Sequence, residues 1–448
     1  MTTGRTSPRS SMRSFLAEWG IDVGLLRSNP IFRTLFIGRL VAVFGLSMLS
    51  VTVSIQVFEL TGSSLQIALV TSVLGVCSVA GSFIGGAVAD RVDRRTVILV
   101  ARGVAALGFA ALAVNAMLPG ATLPWIYLIT AVDAAVASAG AAAFGAAVPA
   151  VVDRKDLPST GAVMALSIDI GSALAPVLAG ALIASADIAT VYWLVLALAV
   201  GSWLVLFRLP PLPPRHDDAD DAPVTPGRRR SIRALATAGL HRLGQQTAQA
   251  WRFSRGDRVV GTVLLIGFIQ ILLASPFALI PEFVTTRLGG GTTEIGLLYA
   301  APAVGALVAG LASGWITRVR RLATTAVVVF AASAVCIGAL GLSSWLWAAV
   351  LLLALAGAGD VVGEIVRFTI LSARTPDHLR GRITGLWQAQ ATVGDTLGGP
   401  LLALLARAVG PGPAIALGGF LAAALTAATL LRAPVRNHRH DPEEDTTR

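Results

Sequence analysis

The chain has 448 residues, of which 55% are hydrophobic and only 13% are charged. Soluble domains carry about 25% charged residues, so this composition excludes a soluble globular protein and a disordered chain. Because the apolar excess runs along the whole length, it also excludes a single-pass receptor. The length accommodates roughly twelve helices of the ~20–25 residues that a bilayer requires, and the sequence therefore predicts a polytopic, all-α membrane protein.

Apolar runs of membrane-spanning length follow a polar N-terminal segment that lacks the features of a cleavable signal. There are twelve, at 31–58, 65–88, 96–118, 122–150, 158–184, 188–207, 259–285, 294–316, 323–342, 345–372, 383–406 and 413–431. They predict a cytoplasmic N-terminal arm (1–30), an N-terminal six-helix bundle (31–207), a central cytoplasmic linker (208–258), a C-terminal six-helix bundle (259–431) and a cytoplasmic tail (432–448).

The basic residues are distributed asymmetrically between the two sides of this topology. With the N-terminus inside, 31 of the 35 Lys and Arg residues fall on the cytoplasmic side, counting Arg102 with the second-to-third connection, and 2 fall on the other side. This positive-inside bias places both termini in the cytoplasm of a bacterial cell. It also explains the net charge of +10 without a nucleic-acid partner. We expect a monomer whose partners are the lipid bilayer and a small-molecule substrate.

The central linker differs from the spans in composition. It passes from a Pro-rich segment (LPPLPPR) through an acidic patch (DDADD) to a basic one (GRRRSIR), and we expect one surface helix near Ser231–Arg252. The two cysteines, Cys77 and Cys336, lie in apolar runs and are expected to act as small packing residues.

An internal repeat relates the two predicted bundles. Five pairs of residues of the same type are separated by 224 positions: Gly86 and Gly310, Arg94 and Arg318, Asp153 and Asp377, Gly161 and Gly385, and Pro176 and Pro400. Tandem six-span halves are typical of transporters whose substrate site lies where the halves meet.

The stretch GAVADRVDRR resembles the loop between spans two and three of the major facilitator superfamily. The matching residues are Gly86, Asp90, Arg91, Arg94 and Arg95, while Asp93 stands in place of a glycine. The resemblance implies two pseudo-symmetric six-helix bundles and a conformational latch that favours the outward-open state; ordinary positive-inside charge is the alternative for these arginines. NPIFRTLFIGR and GRITGLWQAQATVGDTLGG are similar to siderophore exporters of the enterobactin type, although macrolide and drug effluxers share much of this pattern.

The fifth span resembles the antiporter signature of exporters in the same superfamily. It contains Gly171, Pro176 and Gly180 at the matching positions, with Ala175 and Ala179 replacing glycines. The resemblance implies export. A simple proline kink is the alternative, because proline removes a backbone hydrogen-bond donor and bends a helix.

Charged residues within the spans are the candidate site. Each costs about 2.5–3.5 kcal/mol on insertion scales and usually marks a pathway or an ion pair. Candidates for proton coupling or the cavity are Asp133, Asp169, Asp360, Glu364 and Asp395, and candidates for substrate binding or charge pairing are Arg39 and Arg367. A pair between Asp133 and Arg39, and neutralisation of Glu364 by Arg367, are the structural alternatives. By resemblance, spans one, four, seven and ten line the cavity.

Two further features bear on the energy source. No histidine lies in a predicted span, which argues against an intramembrane metalloenzyme, and we expect neither a metal nor a cofactor. The single lysine, Lys155, does not belong to a phosphate loop, so a proton gradient is the expected driver. The sequence thus predicts a proton-coupled siderophore exporter. The alternatives are a macrolide or multidrug effluxer of the same fold and, less favoured, a membrane enzyme or signalling scaffold.

Overall fold

A computed structural model describes residues 28–89, 92–118, 120–153, 156–213, 248–319 and 321–431. In these ranges the regular structure is helical throughout. Twelve long helices follow one another: α1 Pro30–Thr61, α2 Ser64–Ala89, α3 Arg94–Met117, α4 Leu123–Val151, α5 Leu157–Ser185, α6 Ile188–Phe207, α7 Arg258–Leu273, α8 Thr292–Leu311, α9 Leu322–Leu342, α10 Leu346–Arg374, α11 Asp377–Val409 and α12 Pro411–Ala428. Residues 248–256 form a short helix directly before α7; the rest of the surface helix expected in the linker lies outside the described residues.

Most of these helices meet the length and hydropathy that a membrane span requires. Within the described ranges ten helices do so, and they coincide with ten of the predicted spans. The predicted fifth and eleventh spans are the helices α5 and α11. Within α5, the apolar helical stretch Ile170–Ser185 is shorter than the other spans. Helix α11 extends beyond the predicted 383–406 at both ends and carries Arg380, Arg382 and Asp395, which lower its hydropathy.

Local sequence explains where α1 begins and ends. The Asn29 side chain accepts a hydrogen bond from the Phe32 amide at 2.9 Å and donates one to the Val151 carbonyl at 2.7 Å. It therefore caps α1 and ties it to the end of α4. Pro30 occupies the first turn, where its missing N–H costs nothing. Gly62, with φ of 59°, ends the helix in the left-handed conformation that glycine adopts without strain.

The predicted span over 259–285 is confirmed as the membrane-spanning segment Arg258–Leu288, but this segment is not one regular helix. Helix α7 ends at Leu273 and is followed by a 3₁₀ turn at Phe277–Leu279, a single α-turn at Ile280–Phe283 and a π-helical turn at Val284–Leu288. Prolines at 276 and 281 explain the break, because neither can donate the backbone hydrogen bond of a regular helix. The eighth span, predicted over 294–316, ends earlier, because α8 stops at Leu311 and a 3₁₀ segment follows at Ser313–Arg318.

Two six-helix halves form the bundle. In the first half, α1 packs on α5 and α6, α2 on α4, and α3 on α4 and α6. In the second, α7 packs on α11, α8 on α10, and α9 on α10 and α12. The halves meet through two principal pairs, α2 with α11 and α5 with α8. The 224-residue repeat exchanges these pairs, because Gly86 and Gly310 lie on α2 and α8 and Pro176 and Pro400 on α5 and α11.

The contacts between the halves lie toward one end of the bundle. We call the end at which α1, α3 and α7 begin, which carries Arg33, Arg94 and Arg258, the arginine-rich end. Ser64, at the other end, donates to Glu282 in the segment after α7. The Ser72 hydroxyl donates to the Thr396 carbonyl at 2.5 Å. Hydrogen bonds therefore hold the halves together in the part of α2 that is farther from the arginine-rich end.

Glycine permits the close approach of α5 and α8. A Cβ atom on Gly180 would collide with the Thr292 carbonyl, and one on Gly296 would lie 2.5 Å from the Pro176 carbonyl oxygen. The two backbones are thus in direct contact, as small residues allow between helices in membranes. This contact closes the same end of the bundle as the bonds between α2 and α11.

A disulfide should lock this closed end. In a chain with Cys77 and Cys336 replaced by alanine, Gly75→Cys with Thr396→Cys should cross-link on mild oxidation. A Cβ built on Gly75 lies 3.6 Å from the Thr396 Cβ, within the roughly 3.5–4.5 Å separation of a disulfide. A mobility shift on a denaturing gel, reversed by reductant, is the readout. The single-cysteine variants are controls, and no cross-link in the double variant would contradict the packing of α2 on α11.

Candidate functional site

Asp133 on α4 is a buried carboxylate without a hydrogen-bond partner on Oδ1. Its side chain is 8% exposed. It lines a cavity of about 150 Å³ between α1, α2 and α4. Hydroxyl groups share this cavity, but they bond to their own helices: Thr71 donates to the Ile67 carbonyl and Thr130 to the Ile126 carbonyl. Asp133 therefore retains an acceptor that is free to bind a proton or a ligand donor.

Arg102 supplies a charge that acts on Asp133. The charge count places it with the second-to-third connection, although the predicted third span, 96–118, contains it; in the structure it lies within α3, two turns from its start. It interacts electrostatically with both Asp133 and Arg39. An Asp133–Arg39 ion pair, one of the expected alternatives, is not among the ion pairs of the described residues. Arg39 instead stacks over the Phe144 ring at 5.3 Å, and its Nε has no partner.

The second half holds a different cluster around Arg367 on α10. This side chain is 0% exposed. Its Nη1 donates to Glu364 at 2.8 Å and its Nη2 to the Gln390 side-chain oxygen at 3.3 Å, while the guanidinium lies 5.1 Å from the centre of the Trp387 ring. Neutralisation of Glu364 by Arg367, an expected alternative, is thus what the structure contains. Removing either partner would leave a charge in a poorly solvated place.

Asp360 lies on the same helix but is held by neutral groups. Its Oδ1 accepts a hydrogen bond from Ser333 at 2.7 Å and one from Gln270 at 3.1 Å. Gln270 also donates to the Ser333 hydroxyl at 3.0 Å, so three side chains from α7, α9 and α10 form a network. Glu364 is close enough to act on Asp360 electrostatically. No arginine shares this network, which leaves Asp360 without a counter-charge of its own.

The two clusters have opposite charge balance. The first half places two arginines, Arg39 and Arg102, around one carboxylate. The second half places two carboxylates, Asp360 and Glu364, near one arginine. The excess positive charge in the first half could bind an anionic ligand. The excess negative charge in the second half could exchange a proton.

Two of the predicted candidates do not join these clusters. Asp395 lies on α11 and is exposed, with no ion pair or hydrogen bond among the described residues. Asp169 lies on α5, but its side chain is outside the described residues. Cys77 and Cys336 are free thiols.

Comparison with known proteins gives the same picture as the geometry. The sequence model of the Major Facilitator Superfamily matches residues 35–319 and 263–448. The chain belongs to this superfamily. The enterobactin exporter EntS of Citrobacter koseri is 33% identical over 403 residues, covering 90% of this chain and 92% of that protein. EntS of Salmonella typhimurium (strain LT2) is also 33% identical over 403 residues, with the same coverage.

Solved structures share the fold at low identity. A POT family transporter in complex with 5-aminolevulinic acid has a TM-score of 0.69 at 12% identity, covering 91% of this chain and 96% of that one. The nucleoside transporter NupG has a TM-score of 0.69 at 13% identity, covering 90% and 97%. The chain is therefore a transporter of the major facilitator fold and not an enzyme.

The superfamily loop is anchored within the first half. The Arg94 guanidinium donates to the Ala146 carbonyl on α4 at 3.2 Å. Arg95 donates to the Phe207 carbonyl on α6 at 2.8 Å and stacks over the Phe207 ring at 5.2 Å. Both arginines thus bridge α3 to neighbouring helices. Gly86 has open space where a Cβ would lie. Asp90 and Arg91 lie outside the described residues, so the latch stays a prediction.

Asp93, which departs from the superfamily pattern, has a clear structural role. Its carboxylate accepts a hydrogen bond from the Arg95 amide at 2.8 Å and caps α3. Both of its oxygens also accept from the Leu212 amide at 3.1 Å. The residue therefore fixes the chain that leaves α6 against the start of α3. The sequence feature that indicates this cap is an aspartate immediately before the first residue of an apolar helix.

The antiporter-like segment lies at the contact between the halves. Pro176 and Gly180 face Gly296 on α8, while a Cβ on Gly171 would press against Val43 on α1. The segment thus contacts the other half directly, a contact that a proline kink within α5 does not by itself predict. Its role in export remains a prediction.

Several residues of the second cluster were not predicted as site residues. Gln270, Ser333, Trp387 and Gln390 bond to or stack on the predicted charges. Amides within apolar spans were an available signal, since an unpaired amide is costly there. Gly267 had no signal: its Cα faces the Arg367 guanidinium so closely that a Cβ would collide with Nη1.

Gly267→Ala should therefore destabilise the protein by about 1–3 kcal/mol through overpacking. The added methyl group would displace the Arg367 guanidinium from Glu364. Thermal unfolding of the purified protein in detergent measures the loss, and Gly145→Ala, where a Cβ meets open space, is the control. In an Arg367→Met background the cost of Gly267→Ala should shrink. Equal melting temperatures for the Gly267 and Gly145 variants would refute the contact.

Proposed function

We propose that the protein exports a siderophore, an anionic metal-chelating metabolite of the enterobactin class, across the bacterial cytoplasmic membrane. The likeness over 403 residues to curated enterobactin exporters carries this proposal. The charge balance supports it, because the buried arginines of the first half suit a ligand with negative charge. A single chain, as a monomer, supplies both clusters.

The arginine-rich end faces the cytoplasm in this proposal, with both chain termini on that side. The positive-inside bias supports this orientation. The contacts of α2 with α11 and of α5 with α8 then close the outer end, so the conformation described here is inward-facing. Export requires the opposite closure, in which the loop containing Arg94 and Arg95 acts as the latch. Alternating access of the two halves moves the substrate between these states.

Proton entry from outside drives the cycle through Asp133. The support is structural: Oδ1 of Asp133 is buried, has no hydrogen-bond donor and lines a cavity. A proton there would remove a charge that Arg102 only partly offsets, and the balance between the two conformations would shift. Asp360 and Glu364 are the second proton-exchanging candidates. Asp360 Oδ1 accepts hydrogen bonds from Gln270 and Ser333, and Glu364 Oε1 accepts one from Arg367, while Glu364 Oε2 is buried without a hydrogen-bond partner among the described residues. No cofactor is required, since the proton gradient supplies the free energy.

Deletion of the gene should trap the siderophore inside iron-starved cells of its own host. Mass spectrometry of cell extracts and medium measures the distribution, with a complemented strain as the control. We expect accumulation inside and loss outside because this protein is the proposed route of export. Unchanged secretion, accompanied by new sensitivity to macrolides or dyes, would overturn this assignment in favour of drug efflux.

Asp133→Asn should abolish proton-driven export with little effect on folding. Asparagine has nearly the same shape, but its side chain is an amide instead of a carboxylate and therefore does not take up a proton. Siderophore counterflow into inside-out vesicles, measured with and without an imposed pH gradient, separates loss of proton coupling from loss of folding. In the variant, siderophore exchange without a gradient should persist, and the response to the gradient should be lost.

Asp187→Asn is a matched control for this variant. Asp187 caps α6, its side chain accepts a hydrogen bond from the Thr190 amide, and it does not line the cavity of Asp133. This variant should respond to the gradient like the wild type. A wild-type response in Asp133→Asn would remove Asp133 from the coupling mechanism.

A further inference from the structure

A large groove lies beside the second charged cluster, toward the arginine-rich end, and shares Gln390 with it. Its volume is about 920 Å³, and its walls are the short helix 248–256, the first turns of α7 and the middle of α11. Many of its lining side chains are exposed, Trp251 and Val393 among them at 47% and 46%. A surface of this kind is typical of a binding site when polar groups occur at fixed places along it.

Polar and apolar groups are separated along the groove. Trp251, Arg255 and Arg258 lie at its arginine-rich end, and Leu265 and Phe268 lie farther along α7. From Arg258 to Phe268 the helix rises about 15 Å. The groove is therefore charged where α7 enters the membrane and apolar where it is inside, which is the order of groups in a phospholipid.

Among the described residues, the arginines of the groove have no acidic partner. Arg255 stacks on the Trp251 ring at 5.1 Å, an arrangement that leaves its guanidinium edges open. Arg258 is exposed, and neither arginine forms an ion pair in the described part of the chain. The adjacent carboxylate, Asp257, is engaged by Arg374 at 2.8 Å. Two free cations with an exposed tryptophan at a membrane surface match an anionic head group.

We propose that this groove binds an anionic phospholipid of the membrane leaflet at the arginine-rich end. The phosphate lies between Arg255 and Arg258, and one acyl chain runs along Leu265, Phe268 and Val393. The lipid also touches Gln390, which lines the groove and accepts a hydrogen bond from Arg367. Lipid occupancy thereby supports the orientation of the Arg367 side chain. This site is independent of the cargo, and its test requires no transport.

Native mass spectrometry of the purified full chain, titrated with phosphatidylglycerol or phosphatidylcholine, tests the proposal. The wild type should bind phosphatidylglycerol more tightly than phosphatidylcholine. Arg255→Gln with Arg258→Gln should weaken phosphatidylglycerol binding about twenty-fivefold, since each arginine near an anionic head group contributes about fivefold. Arg252→Gln with Arg407→Gln removes the same charge outside the groove and should bind like the wild type. Melting curves confirm that all variants fold.

A second variant tests the apolar half of the groove. Val393→Trp fills the path of the acyl chain at an exposed position and should reduce binding while both arginines remain. Equal binding by the two double-arginine variants, or undiminished binding by Val393→Trp, would overturn the proposal. A wild type that shows no preference for phosphatidylglycerol would do the same, and would indicate that the preceding linker covers the groove.

Discussion

The structure depends on the inability of lipid to form hydrogen bonds. Within the hydrocarbon of a bilayer, each backbone N–H and C=O must bond inside the chain, so the spans are helices. The same constraint acts on side chains. Hydroxyls such as Thr71 and Thr130 return their hydrogen bonds to the carbonyls of their own helices. Side chains that cannot do so, the charges above all, are the candidates for the functional site.

The two halves of the protein resolve this constraint differently. In the second half, Arg367 and Asp360 take hydrogen-bond partners from four helices, and glycine at 267 makes room for the guanidinium; Arg367 Nε and Glu364 Oε2 have no partner among the described residues. In the first half, the charges of Arg39, Arg102 and Asp133 act on one another without a direct bond. Stable pairing favours structure, whereas incomplete pairing leaves groups that can respond to a proton or a ligand. The proposed coupling therefore lies in the first half.

The contact between the halves uses mainly small and weakly polar groups, with one carboxylate, Glu282, that accepts a hydrogen bond from Ser64. Gly180 and Gly296 bring two backbones together, and Ser72 bonds to a carbonyl of α11. Such contacts contribute little individually, with interhelical hydrogen bonds in membranes worth about 0.6 kcal/mol on average. An interface of this strength holds one conformation and can still separate during a transport cycle. The ion pairs of the described residues, Arg367–Glu364 and Arg374–Asp257, lie within the second half and do not cross this contact.

The sequence by itself determined the number and order of the helices, the two related halves and the superfamily. These follow from hydropathy, from the 224-residue repeat and from the loop motif, which are properties of the chain read locally. It also identified Asp133, Asp360, Glu364 and Arg367, because a charge within an apolar span is conspicuous. Only the tertiary structure decided which residues contact these charged side chains. Arg102 lies near Asp133, Gln270 meets Asp360, and Gly267 faces Arg367 only because helices distant in sequence pack together. Periodicity along one helix carries no information about which residue of another helix lies opposite, and that is the physical reason these contacts required the fold.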